Sequence, residues 1–172
     1  DLLKNPQDEQ QFENLVKSKL VWLGLDGKEE PFKNADLHMG SSVSPDGQYV
    51  LITTLKKPFS YVVSYGSFPM ETNVYDLKGN LVKKVNETPL MEIMPKGFSS
   101  TRPGKRSLSW RTDKPATLAF VQALDGGDAN KPAEFRDELF VWDAPFNAEP
   151  KSLIKIKDRY AGALWGNDDY AL

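Results

Sequence analysis

The chain has 172 residues, of which 40% are hydrophobic and 27% charged, and its formal net charge is −2. This composition is typical of a folded globular domain, and without a basic excess it does not predict a nucleic-acid-binding surface. The absence of cysteine excludes disulfides and thiolate metal ligands, and no apolar run approaches the roughly 20 residues that a membrane-spanning helix needs.

One helix is predicted close to the amino terminus. Asn5 is a suitable N-cap, and Pro6 suits the first helical position. Two acidic residues in the first turn, with Lys17 and Lys19 near the end, match the helix macrodipole. The apolar stripe that would pack the helix against a neighbour comprises Phe12, Leu15, Val16 and Leu20.

After residue 19 the periodicity changes to short apolar runs separated by turn signals. Asp26-Gly27 predicts a tight hairpin after the apolar run 20–25, because both residues tolerate positive φ. Many short strands favour an all-β architecture. Further predicted strands cover residues 49–54, 73–77, 81–85, 117–124, 138–142 and 152–156.

A strand–turn–strand pattern occurs three times, at residues 42–51, 107–118 and 162–171. The first two copies are each followed by another pair of predicted strands. Four antiparallel strands per repeat are typical of a β-propeller blade, so we expect an all-β partial propeller with one short N-terminal helix.

The expected propeller segment is a single domain over residues 1–172. Its expected parts are an N-terminal segment with the helix at 1–18, the end of a blade at 19–33, whole blades at 41–86 and 107–157, and the start of another blade at 161–172. The start at Asp1 and the end inside a predicted strand indicate a piece of a longer protein. Because a closed ring needs about four to eight blades, we expect open sheet edges, with either self-association through them or disordered terminal strands.

Several motifs resemble one family of peptidases. The segment Thr101–Leu118, with sequence TRPGKRSLSWRTDKPATL, closely resembles the propeller region of glutamyl endopeptidase-like serine peptidases of the prolyl oligopeptidase family. Lys57–Tyr61, Phe68-Pro69, residues 123–128 and Arg136-Asp137 share the resemblance. Ser44–Gly47 is common to the propellers of prolyl oligopeptidase relatives and of the periplasmic Tol system. In that family a propeller precedes an α/β-hydrolase domain that carries the catalytic Ser, Asp and His.

The resemblance implies that this chain is a non-catalytic propeller segment that covers the active site and filters peptide substrates. The implied partners are a C-terminal α/β-hydrolase domain of the parent protein and peptides. The implied parent is a secreted or periplasmic serine endopeptidase or aminopeptidase that cleaves after glutamate. The repeat pattern equally fits a non-enzymatic propeller that binds protein or peptide partners, and a downstream Gly-x-Ser-x-Gly elbow followed by Asp and His would favour the peptidase.

The chain itself offers no catalytic residues of this kind. The nearest matches to the nucleophile elbow, residues 40–44 and 97–101, lack the closing glycine. The single histidine, His38, falls in a predicted loop, and we interpret it as a packed or solvated residue. The oxygen-rich segments 125–128 and 167–169 lack the spacing of a calcium loop, so we interpret both as turns and predict no metal or cofactor.

One basic cluster is the candidate site. A protein that selects an acidic side chain needs a cation to receive it, and arginine does this bidentately. The hypothesis is that the cluster steers acidic peptides toward a catalytic chamber. The alternative is a solvated basic loop with a structural arginine inside the sheet. The cluster comprises Arg102, Lys105, Arg106 and Arg111.

Overall fold

The chain divides into two compact units. Unit 1 comprises Asp1–Ser42 and Tyr49–Glu92, and unit 2 comprises Val43–Gln48 and Ile93–Leu172. The computed structural model describes residues 2–167 and 169–172. The starting residue Asp1, and Asp168 of the oxygen-rich segment 167–169, lie outside the described residues.

Helix α1 of unit 1 spans Pro6–Val16 and has the predicted N-cap. The side-chain oxygen of Asn5 accepts hydrogen bonds from the backbone N–H groups of Gln7 and Asp8, at 2.9 and 3.0 Å. Pro6 opens the helix, where its missing N–H would have no intrahelical acceptor. The predicted helix start is therefore confirmed.

The end of α1 differs from the prediction. Lys17 is the C-cap, and Lys19 already belongs to the following strand, so this pair does not lie in the last helical turn. Leu20 lies in the same strand. The reason is β-pairing, because Ser18 is already opposite Asp36.

The apolar face of α1 is narrower than predicted. Phe12 makes edge-on contacts with Phe59 and Phe68, with ring centroids 5.4 and 6.2 Å apart. Val16 packs against the same buried cluster. Leu15, by contrast, is 85% exposed. Residues 12 and 16 therefore fix the helix to unit 1, and the predicted contribution of Leu15 was wrong.

The predicted hairpin follows α1. Strands β1 (Ser18–Leu23) and β2 (Glu29–Asp36) pair antiparallel. Gly27 in the connecting turn has φ of 83°, as the Asp-Gly signal predicts. The hairpin confirms the predicted strand pair, and its bounds extend beyond 19–33 at both ends.

The main sheet of unit 1 has four strands in sequence order. The neighbouring pairs β4–β5 and β5–β6 are antiparallel. His38 is the first residue of β3, so its predicted loop position was wrong, because the strand begins before residue 41. The sheet comprises β3 (His38–Val43), β4 (Tyr49–Leu55), β5 (Met70–Asp76) and β6 (Leu81–Thr88).

Unit 2 contains a second four-stranded sheet. All neighbouring strands are antiparallel and again follow one another in sequence order. Strand β8 lies inside the sheet, and its residues Thr117 to Val121 are buried. The sheet comprises β7 (Lys105–Trp110), β8 (Thr117–Ala123), β9 (Asp137–Asp143) and β10 (Lys151–Ile156).

The last segment, predicted as a strand pair, is less regular. An isolated antiparallel bridge joins Trp165 to Ala171, and Leu164 and Leu172 exchange both backbone hydrogen bonds. The hairpin order is present here, but the described residues form a bridge instead of two strands.

The fold is mostly β, with antiparallel sheets and one short α-helix in the described chain, as predicted. The sheets do not close into a ring, so a propeller is not established. In the part of the chain that the structure describes, no helix has the length and apolar character to cross a membrane.

Candidate functional site

Two aspartates of unit 2 are fully buried and are held by arginines. Asp137 is the first residue of β9, and Asp125 lies in the turn that follows β8. The side chains of both have 0% solvent exposure. We call Asp125, Asp137, Arg106, Arg136 and Arg159 the arginine–aspartate network.

Asp137 receives three hydrogen bonds from two parts of the chain. Nη2 of Arg106, on β7, donates to Oδ2 of Asp137. After β10, Nη1 of Arg159 donates to Oδ1 at 3.1 Å, and the backbone N–H of Tyr160 donates to Oδ2 at 2.6 Å. Asp137 therefore joins β7 to the segment that follows β10.

Asp125 is bound even more completely. Nη2 of Arg159 donates to both of its oxygens, at 2.8 and 2.6 Å, and Nη1 of Arg136 donates to Oδ2 at 2.9 Å. The backbone N–H of Gly127 donates to Oδ1 at 2.9 Å. Burial by itself would raise the pKa of Asp125, but these donors outweigh it and lower the pKa from 3.8 to about 2. The carboxylate is thus ionised at neutral pH.

Arg159 uses its whole guanidinium inside the protein. Its Nε donates to the carbonyl of Ser99 at 2.7 Å, and Nη1 also donates to the carbonyl of Arg136 at 2.9 Å. With the bonds to Asp125 and Asp137, every nitrogen of the group has a protein acceptor. Arg159 therefore positions Asp125, Asp137 and the loop at Ser99.

A cavity of about 310 Å³ adjoins this network. We call it the arginine cavity. Its described lining comprises residues 98–101, Arg106, Arg159 and Tyr160. Burial raises the pKa of Tyr160, so its phenol stays neutral at physiological pH.

Two buried polar atoms in the lining residues have no hydrogen-bond partner among the described residues. They are Nη1 of Arg106 and Oγ of Ser100. Buried donors without an acceptor are uncommon, since each costs part of its desolvation energy. The arginine cavity is therefore a place where the described part of unit 2 has unused hydrogen-bonding capacity.

The structure separates the four basic residues of the predicted cluster. Lys105 lies with Nζ 4.9 and 4.8 Å from the ring centroids of Phe120 and Trp142. Arg102 is half-buried in the loop before β7. Of the four, Arg106 alone lines the arginine cavity in the described chain.

Arg111 has a structural environment. It is buried, and it donates from Nε and Nη2 to Asp113 at 3.0 and 2.6 Å. Its guanidinium carbon lies 4.1 Å from the ring centroid of Trp165. The hydrogen bonds from Arg111 lower the pKa of Asp113. Arg111 therefore matches the alternative of a structural arginine.

Sequence reasoning missed Arg159 and interpreted Asp125 only as a turn residue. The Arg136-Asp137 pair was noted only as part of a motif. One signal was available: Asp137 sits at the start of an apolar strand, where a buried carboxylate needs cationic partners. The identity of those partners is not encoded locally, because Arg106 and Arg159 lie 31 and 22 positions away.

The other candidate residues lie elsewhere. His38 is in unit 1, where Nε2 lies 3.1 Å from the carbonyl of Asn34, and Nδ1 is buried without a partner among the described residues. In the second oxygen-rich segment, Oδ1 of Asn167 accepts from the backbone N–H groups of Asp169 and Tyr170. The side chains of Asp125 and Asn167 are thus occupied by protein donors.

Comparison with known proteins gives two curated relatives that align with the whole chain. A protein of Oryza sativa subsp. japonica, named probable glutamyl endopeptidase, chloroplastic, is 37% identical over 174 residues, which is 100% of this chain and 19% of the relative. A protein of Arabidopsis thaliana with the same name is 36% identical over 174 residues, which is 18% of its length. No protein-family model and no solved structure matches.

The chain thus spans about a fifth of the length of these relatives. The comparison supports the expected relationship to glutamyl endopeptidases. Both relatives are named chloroplastic, so the comparison does not support the secreted or periplasmic location that the resemblance implies.

Proposed function

We propose that this chain is a non-catalytic propeller segment of a serine peptidase of the prolyl oligopeptidase family, one that covers the active site and filters peptide substrates. The observation that carries the proposal is the alignment of the whole chain with a probable glutamyl endopeptidase at 37% identity. Two four-stranded sheets with strands in sequence order support the propeller, because a blade has this arrangement. The whole enzyme would cleave after glutamate.

In this proposal the parts of the chain have definite roles. The sheet β3–β6 and the sheet β7–β10 are two whole blades, replacing the expected bounds 41–86 and 107–157. The hairpin β1–β2 ends one blade, and residues 161–172 begin another. The α/β-hydrolase domain, the partner implied for the parent protein, would supply the catalytic Ser, Asp and His.

The proposed steering of acidic peptides depends chiefly on Arg106. Arg111 is engaged with Asp113, and Lys105 lies against two aromatic rings. Arg106 lines a cavity and retains a nitrogen without a partner among the described residues. Arg102 and Lys105 would contribute long-range attraction, which weakens as the ionic strength rises.

The test uses the full-length protein that carries this chain. A fluorophosphonate reagent labels an activated serine, and peptide mapping then locates the label. We expect one labelled serine outside residues 1–172, and cleavage of Ala-Glu-Ala peptides in preference to Ala-Gln-Ala peptides. An unlabelled protein without peptidase activity would favour the non-enzymatic propeller that binds protein or peptide partners.

The same proposal assigns the parent a location outside the cytosol, as the family resemblance implies. Cell fractionation with an antibody against this chain tests that location. A signal in the periplasmic or culture fraction is expected, and a signal confined to the cytosol would contradict it.

A further inference from the structure

The guanidinium of Arg106 is only half used by the protein. Nη2 is bonded to Asp137, whereas Nη1 is buried and has no hydrogen-bond partner among the described residues. The side chain is 13% exposed, so most of the group has left water. A buried charged donor of this kind favours an anionic acceptor.

The charges of the arginine–aspartate network also favour an anionic ligand. Three arginines face two aspartates, which leaves one positive charge in excess. Arg159 and Arg136 are occupied with Asp125. Arg106 shares Asp137 with Arg159, and its Nη1 is bonded to neither aspartate.

The cavity has a second unused polar group and an apolar wall. Oγ of Ser100 is buried and has no partner among the described residues. Phe98, which also lines the cavity, is 107% exposed and can pack against the rest of a bound chain. A volume of about 310 Å³ lies at the low end of the range for ligand pockets and can admit a side chain or a terminal group that carries a carboxylate.

We infer that the arginine cavity is a carboxylate-binding subsite for peptides, in which Nη1 of Arg106 and the hydroxyl of Ser100 donate to the carboxylate oxygens. The inference rests on the proposed function, because the peptidase relationship makes a peptide the ligand. The carboxylate is supplied by a glutamate side chain or by the carboxyl terminus of the peptide. Both sources present the same two oxygens.

Binding experiments on the 172-residue chain and on the full-length protein separate these sources. The probes are Ac-Ala-Glu-Ala-NH2, Ac-Ala-Gln-Ala-NH2 and Ac-Ala-Gln-Ala-OH, measured by isothermal titration calorimetry. We expect the glutamate side-chain peptide to bind at least about tenfold tighter than its glutamine counterpart. Tighter binding of the free-acid peptide instead would assign the subsite to the carboxyl terminus.

Matched variants connect the binding to Arg106. The Arg106→Lys variant keeps a cation for Asp137 but loses the second guanidinium nitrogen. We expect its affinity for the glutamate peptide to fall about tenfold. Arg111→Lys makes the same chemical change at another arginine that is ion-paired to an aspartate, and Arg111 stands outside both the network and the described lining of the cavity. Its affinity for the glutamate peptide should stay within about twofold of wild type.

Ser100→Ala keeps the test decisive if Arg106→Lys does not fold. The hydroxyl has no internal partner among the described residues, so its loss should leave Tm unchanged. We expect its affinity for the glutamate peptide to fall about threefold or more, and its affinity for the amidated glutamine peptide to stay the same. Inorganic phosphate is a further probe, and phosphate binding that exceeds carboxylate binding would overturn the inference.

Equal affinity for all three peptides, or no binding at millimolar concentration, would also overturn the inference of a carboxylate-binding subsite. So would equal losses in Arg106→Lys and Arg111→Lys. These outcomes are independent of the proposed function, because fluorophosphonate labelling and peptide cleavage test the peptidase without using the subsite variants.

Discussion

Nη2 of Arg159 donates to both carboxylate oxygens of Asp125, at 2.8 and 2.6 Å. Through this contact the segment after β10 is held against the turn after β8. Arg159 also bonds to the carbonyl of Ser99, and so connects the network to the loop that lines the arginine cavity. The shape of the cavity therefore depends on this ion pair.

Replacing Asp125 with Asn should destabilise the chain strongly. The side chain is fully buried, and its loss of charge leaves Arg159 and Arg136 without their shared anion. Removing one partner of a buried ion pair costs about 3–5 kcal/mol. Urea unfolding followed by circular dichroism measures the loss.

The control for that experiment is Asp26→Asn, because Asp26 forms an exposed ion pair with Lys28 at 2.6 Å. Asparagine retains the side-chain oxygen that accepts from the Lys28 backbone, so the urea midpoint should barely change. Similar small shifts for both variants would contradict the structural role of Asp125.

The stability should also depend on pH through Asp125. Its pKa is 3.8 in the unfolded reference and about 2 in the folded protein, so folding favours the ionised form. The contribution is complete above about pH 4 and is lost as the pH falls toward 2. Thermal melts between pH 5 and pH 2 should show a steeper fall in Tm for wild type than for Asp125→Asn. Parallel curves for the two proteins would refute this assignment.

Gly127 controls the position of the cavity loop. Its φ is 85°, and a Cβ there would lie 2.1 Å from the carbonyl oxygen of Thr101. At Gly126, with φ of 70°, the nearest atom to a Cβ would be the flexible end of Lys131 at 3.7 Å. Both alanine variants place a residue with a Cβ at positive φ, and this conformation costs about 1 kcal/mol in each. Gly127→Ala should therefore lower Tm more and weaken binding of the glutamate peptide, whereas equal effects would exclude the contact with Thr101.

The packing of α1 can be tested with two residues three positions apart. Phe12 contacts the rings of Phe59 and Phe68, so Phe12→Ala should reduce the free energy of unfolding by about 2 kcal/mol or more. Leu15→Ala should change it by less than about 0.5 kcal/mol, because Leu15 is 85% exposed. Urea titrations of both variants give the comparison. A large loss of stability for Leu15→Ala would contradict the assignment of Leu15 to the exposed face of the helix.

Open sheet edges should make the isolated chain associate. Strand β10 is the last strand of its sheet, and Leu153 and Ile154 on it are 48% and 56% exposed. Light scattering should show oligomers whose amount falls in Ile154→Lys, since a charge on an edge strand opposes pairing. The control Leu25→Lys alters a fully exposed residue of the β1–β2 turn. A monomeric wild type would contradict the association, and full amide protection at both termini would also contradict the alternative of disordered terminal strands.

Local sequence determined the secondary structure of this protein. The N-cap at Asn5 and the positive-φ glycine of Asp26-Gly27 follow from interactions between residues close in the chain, and the order of strands in two sheets follows the repeat pattern of the sequence. The ends of elements depend on long-range pairing. Lys19 and Leu20 lie in β1 and not in the helix, because β1 pairs with β2.

The candidate site, by contrast, was decided by the tertiary structure. The residue type of Arg106 suggested carboxylate binding, but Arg102, Lys105 and Arg111 had the same charge and fill different environments. What distinguishes Arg106 is its partner Asp137, 31 positions away, and the nitrogen that this pairing leaves over. Sequence supplies the charges, whereas burial and long-range pairing decide which of them remains available to a ligand.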